Sequence, residues 1–86
     1  MAHKRQVQPK LGPEKALGSV LRELRDDRGF SQLDVYEKFG VDRTQLSAIE
    51  RGVQSPTLRT IDRFAKMYGI TLSELMRRAE KSRFYR

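Results

Sequence analysis

From Pro13 onward the apolar residues fall at helical spacing in five short runs. Leu17, Val20, Leu21 and Leu24 recur at i, i+3, i+4 and i+7, the stripe of a helix that buries one side. Pro13 suits the first position of that helix, where its missing N–H would have had no partner, and Glu14 suits the positive helix N-terminus. The run ends by Gly29. Ser31 then offers an oxygen to the free N–H groups of a second helix, in which Val35, Tyr36 and Phe39 form the apolar side and which Gly40 stops. Asp42 repeats the cap directly after Gly40 and Val41, and Leu46 and Ile49 supply the buried stripe of a third helix ending at Gly52. Ser55 and Pro56 read as a cap followed by proline at the first helical position. Leu58, Ile61, Phe64, Ala65 and Tyr68 then make a strongly amphipathic fourth helix up to Gly69. Thr71 and Glu74 have the spacing of a capping box, opening a fifth helix through Leu75 and Met76 into the basic tail. No stretch alternates as a strand does and no segment repeats, so the pattern predicts an all-α bundle of five helices.

Composition narrows what such a bundle can do. The 86 residues leave room for one domain, and a hydrophobic share of 37% provides a core that is marginal alone and would gain from dimerisation. Residues 1–12 are polar and basic without apolar period and read as a disordered arm, residues 13–76 as the folded domain, and residues 77–86 as a basic extension of the fifth helix or a tail. There is no cysteine, which removes disulfides, thiolate metal sites and cysteine nucleophiles together. The single histidine, His3, sits in the polar terminus and reads as solvated. Neither paired carboxylates nor a phosphate-cradling glycine loop is present, and Asp26 and Asp27 read as a polar helix end. No enzymatic activity, cofactor, metal or small-molecule ligand is therefore expected. No apolar run approaches the roughly 18 to 20 residues of a membrane span, and the chain start lacks the apolar stretch of a secretory signal, so a soluble cytoplasmic protein is expected.

A net charge of +7 points to a polyanionic partner such as nucleic acid. Its distribution weakens that inference, because the stretch from Ala16 to Met76 carries nine basic and nine acidic residues and the excess lies at the two ends. Lys4, Arg5 and Lys10 would suit a minor groove or an idle arm equally well. Phe84 and Tyr85, among Arg77, Arg78, Lys81 and Arg83, would suit base stacking, an apolar dimer seam or a frayed end. The internal pattern must carry the functional case.

Ser31-Gln32, then Gly40 through Gly52 with Asp42-Arg43-Thr44-Gln45-Leu46 at its centre, followed by Pro56, resembles the Cro/C1-type, or XRE-like, helix-turn-helix family. The resemblance spans about Leu17 to Met76 and includes Leu17-Gly18, Leu21-Arg22, Leu24-Arg25 and Gly29-Phe30. It implies a compact bundle of the lambda-repressor-like type, bacterial or phage origin, and a transcriptional regulator, repressor or autoregulator, that binds a specific double-stranded site as a homodimer on a palindromic operator.

The spacing agrees with that implication on its own terms. Two helices joined by a tight glycine turn let Val35, Leu46 and Ile49 pack inward while Arg43, Thr44, Ser47 and Ala48 stay on the free face of the third helix. Arginine can pair bidentately with guanine O6 and N7, threonine can hydrogen-bond or touch a thymine methyl, and alanine allows close approach to that methyl. By resemblance, Arg43, Thr44 and Ala48 fall where family members contact base edges, with Ser47 beside them. Gln32 falls where a side chain and helix N-terminus meet a phosphate, setting register and not sequence. Gln45, Arg51, Ser55, Thr57 and Arg59 flank the reading helix and are expected at further phosphates, although Arg59 equally suits a solvated helix position. Family members often pair an arginine of helix one with a glutamate closing helix three, which implies a structural clamp between Arg25 and Glu50.

Tyr36 and Phe39 depart from the family pattern, which usually has small residues there because helices two and three approach closely. The rings demand a shifted helix angle, a local gap or exposure. Three settings remain open: a phage-type repressor, a restriction-modification controller, and an antitoxin whose main partner is a protein. A protein-interaction adaptor on the same fold is a further alternative, distinguished by acidic or bulky residues in place of Arg43, Thr44 and Ala48.

Overall fold

Local caps account for most of the helix boundaries. The computed structural model describes residues 11–86, and among them the chain forms five helices and no strand: α1 Pro13–Asp27, α2 Gln32–Phe39, α3 Arg43–Glu50, α4 Leu58–Met67 and α5 Leu72–Lys81. His3, Lys4, Arg5 and Lys10 lie outside the described residues. Gly12, assigned by composition to the arm, instead occupies the N-cap position of α1 and is buried, with Pro13 opening the helix. Ser31 caps α2 through Oγ, which accepts the Asp34 N–H at 3.0 Å, and Asp42 caps α3 by accepting the Gln45 N–H at 2.9 Å. Gly40 ends α2 in the left-handed region at φ 72°, where a side chain would be strained, and so permits the three-residue turn Gly40-Val41-Asp42 into α3.

One boundary and one cap differ from the sequence pattern. Helix α4 is capped by Thr57 and not by Ser55, with Pro56 left outside the helix; Thr57 Oγ1 accepts the Thr60 N–H at 3.1 Å. Thr57 holds the extended backbone of an N-cap, at φ −70° and ψ 160°, and its hydroxyl reaches the N–H of the third helical residue. Leu58 consequently sits in the outward first turn and is 67% exposed, while Phe64, Ala65 and Tyr68 carry the buried stripe. At α5 only half of the expected capping box forms. Thr71 Oγ1 accepts the Glu74 N–H, but the Glu74 carboxylate turns forward to Arg77 and Arg78, whose charge-assisted hydrogen bonds outcompete the Thr71 backbone. Those guanidinium hydrogen bonds hold the Glu74 carboxyl below its usual pKa.

The core gathers Leu21 and Leu24 of α1, Val35 of α2, Leu46 and Ile49 of α3, Phe64 of α4 and Leu75 of α5. Helix α1 packs against both α5 and α3, α2 against α3, and α4 against α5. The two rings of α2 resolve their crowding differently. Tyr36 leaves the apolar side of α2 and is half exposed, whereas Phe39 tucks edge-on against Phe30, with centroids 6.1 Å apart. Tyr68 is fully buried and stacks on Phe64, yet its hydroxyl has no hydrogen-bond partner among the described residues. Burial pushes its pKa up to about 12, aided by the charge of Glu50 and opposed by those of Arg25 and Arg28.

Beyond α5 the tail does not fray. The Gly12 N–H donates to the Phe84 carbonyl at 2.8 Å, and the Phe84 ring packs against the core, so that ring is engaged within its own chain.

Candidate nucleic-acid interface

Helix α3 presents its outer face because its inner face is wholly committed. Leu46, Ile49 and Glu50 are buried, and the helical repeat leaves Arg43 and Thr44 exposed and Ser47 and Ala48 half-buried. A shallow open depression is lined by Arg43, Thr44 and Ser47 together with Gln32 at the start of α2 and Arg51 at the end of α3. Five of the singled-out residues therefore share one surface. Ala48 and Gln45 do not line it; the Ala48 carbonyl accepts the Val53 N–H, and Gln45 is half-buried. Ser55, Thr57 and Arg59 are exposed on the approach to α4.

Several of these groups already have partners. Ser47 Oγ accepts from Arg51 Nε at 3.3 Å, which tethers the arginine along the helix. The Thr57 hydroxyl serves as a cap and donates to Thr60 Oγ1, so what it can still offer an outside group is limited. Gln32 Nε2 donates to Glu50 Oε1 at 3.2 Å. The start of α2 also carries a carboxylate: the Ser31 N–H donates to Asp34 Oδ2 at 2.8 Å, closing a reciprocal capping box. That backbone hydrogen bond, with the Ser31 hydroxyl second, holds the Asp34 carboxyl below its usual pKa. Asp34 stands three residues after Ser31, so the spacing alone carries the signal of this box.

Behind the depression Arg25 and Glu50 form a bidentate pair, Nε to Oε2 at 2.8 Å and Nη2 to Oε1 at 2.9 Å. The side chains are only 9% and 3% exposed, which removes the pair from the class of screened surface contacts. Arg25 Nη1 donates to the Phe30 carbonyl at 2.8 Å. One guanidinium thereby joins α1, the turn before α2 and the end of α3, and Gln32 adds α2 through the same carboxylate. Hydrogen bonding to Glu50 outweighs burial and raises the Arg25 pKa further. Among the described residues, no group of three or more His, Cys, Asp or Glu is placed to hold a metal, and no helix is long and apolar enough to cross a membrane.

A family profile described as Helix-turn-helix (HTH_3) matches residues 21–75. The cryptic phage CTXphi transcriptional repressor RstR of Vibrio cholerae is 39% identical over 62 residues, 72% of this chain and 56% of its own length. The chain thus spans little more than half of that curated relative. The restriction-modification controller protein C.AhdI from Aeromonas hydrophila superposes with a TM-score of 0.65 at 34% identity, covering 71% of this chain and 92% of that one. The clp gene regulator ClgR of Corynebacterium glutamicum superposes with a TM-score of 0.74 at 26% identity, covering 91% and 97%.

Proposed function

This chain belongs to the HTH_3 helix-turn-helix family of Cro/C1-type domains, and on that premise we propose that it is a sequence-specific double-stranded DNA-binding regulator of transcription that enters the major groove with α3. The observation that carries the reading is the shared depression, in which Arg43, Thr44 and Ser47 face outward together while Leu46 and Ile49 anchor the same helix from behind. Arg43 and Thr44 are the freest of these side chains and read base edges; Ser47 adds a hydroxyl already braced by Arg51, and Ala48 offers a methyl at the margin. Arg51, Gln32, Gln45, Ser55, Thr57 and Arg59 ring this face and set the register on phosphates. Gln32 does so while donating to Glu50, so its remaining amide hydrogen and backbone N–H are what a phosphate meets.

A relative named as a phage repressor and a neighbour named as a restriction-modification controller support a repressor or autoregulator, acting in a bacterial cytoplasm as a homodimer on a palindrome with half-sites ~34 Å apart. Selection of duplexes from a random pool by the full chain tests this. An enriched, two-fold symmetric motif is the expected result. A pool that stays random would overturn the reading in favour of a protein-binding adaptor.

A further inference from the structure

We propose that the C-terminal segment, folded back on the start of α1, forms a second phosphate-binding surface that grips the DNA backbone flanking the half-site. The inference rests on the reading of α3 as the groove-entering helix and extends it to a part of the chain that this reading leaves unused.

Backbone hydrogen bonds and the packed Phe84 ring hold the segment in place. The Gly12 N–H donates to the Phe84 carbonyl, the Phe84 N–H donates to Ser82 Oγ at 3.1 Å, and the Tyr85 N–H to the Ser82 carbonyl at 3.0 Å. Lys15 Nζ and the Arg83 guanidinium lie 5.1 and 4.8 Å from the centre of the half-buried Phe84 ring. The fold-back creates a groove with Lys15 and Arg22 of α1 on one wall and Lys81 and Arg83 on the other. Its lining includes Gln32, Ser47 and Arg51, three of the five residues that also line the depression on α3. The two surfaces are continuous.

The charge balance inside the groove decides what it takes. Of its carboxylates, Glu50 and Asp26 are both engaged by Arg25, at 2.8 and 3.4 Å, which leaves Glu23. Arg22 stands 4.0 Å from Asp26, and Arg78 is held by Glu74 at 2.8 Å. Lys15, Arg51, Lys81 and Arg83 make no ion pair with a carboxylate among the described residues. Four uncompensated cations around one groove repel each other, and a polyanion relieves that repulsion. The Phe84 ring is covered by Lys15 and Arg83, so the groove offers no open aromatic face for an unpaired base. It therefore suits the backbone of a duplex already seated on α3.

The test compares the full chain with a Lys81→Gln, Arg83→Gln variant on the duplex that the full chain enriches, over roughly 50 to 200 mM salt. The salt dependence of log K should flatten by about 2, because each phosphate contact contributes ~0.9 to the slope, while the preferred sequence stays the same. Trimming the flanking base pairs should weaken the wild-type chain and leave the variant nearly indifferent. Lys81→Arg with Arg83→Lys should restore the slope, and Lys66→Gln, on α4 outside the groove, should leave it unchanged. An unaltered slope in the double Gln variant, or an equal change from Lys66→Gln, overturns the inference. A chain that enriches no sequence instead overturns the α3 reading, and the slopes on random duplex then still decide the groove.

Discussion

A Cβ placed on Gly18 would stand 2.3 Å from the carbonyl oxygen of Ile49, so α1 and α3 meet backbone to backbone. The Glu50 carbonyl oxygen would also stand too close, at 2.6 Å. Helix α3 is therefore seated on α1 by a contact that only glycine permits, and this seat fixes how far the outer face of α3 projects.

Gly18→Ala sets two opposing effects against each other. Alanine favours the helix by about 1 kcal/mol over glycine, but neither carbonyl can move without shifting α3, and overpacking costs typically 1–3 kcal/mol. Sterics win. With two backbone oxygens inside 3 Å the steric cost lies at the upper end of that range, so thermal unfolding should show a net loss of up to about 2 kcal/mol, a few degrees in Tm. A raised Tm would mean that the helices are not in contact at this point.

Glu50→Ala leaves the Arg25 guanidinium buried without its carboxylate, and breaking a buried pair from one side costs about 3–5 kcal/mol. Asp62→Ala removes the i,i+4 partner of Lys66 on the surface, a pair whose lysine side chain is 76% exposed and whose loss should cost under ~1 kcal/mol. Urea denaturation of the two variants side by side measures the contrast. Similar midpoints would refute the assignment of Glu50 as the hub joining α1, α2 and α3.

Tyr68→Phe deletes a buried hydroxyl that has no partner among the described residues, and should be neutral or stabilising by up to about 1 kcal/mol. The wild-type chain should also lose stability as pH rises from about 10, the ordinary tyrosine value, through about 12, its value in the fold. Below that window both states hold the proton and the effect is absent. Phenylalanine should abolish this alkaline component. A clear loss of stability at neutral pH would show that the hydroxyl has a partner.

On the acid side, the carboxyls of Asp34 and Glu74 have pKa values below their ordinary ones, so the unfolded chain binds protons first and stability falls as pH drops through the carboxylate range. Both groups are at the surface, so the effect is modest and screened by salt. Asp34→Asn with Glu74→Gln should flatten the stability profile below about pH 4. An unchanged profile would remove both carboxylates from the account of acid stability.

Arg43→Ala should cost about 1–3 kcal/mol on the preferred duplex and erase selectivity at one base pair per half-site, with binding to random duplex nearly unaltered. Repeating the selection with the variant shows which base pair. Uniform weakening on every sequence would make Arg43 a phosphate contact.

The sequence by itself determined what is local: which segments are helical, that Ser31 and Asp42 cap α2 and α3, that Gly40 turns between them, and that Arg43 and Thr44 share a face opposite Leu46 and Ile49. Caps and stripes depend on residues three or four apart, and those distances are written in the chain. Even so, Thr57 displaced Ser55 as a cap, and Leu58 and Tyr36 turned outward, because apolar character alone does not say which side of a helix finds a neighbour. Tertiary structure alone decided that Gly18 meets Ile49, that Arg25 serves Phe30 and Glu50 at once, and that Phe84 returns to Gly12. Except for Arg25 with Phe30, such contacts join residues tens of positions apart, and they follow from how five stripes fill one core, a condition on the whole chain that no short window of it contains.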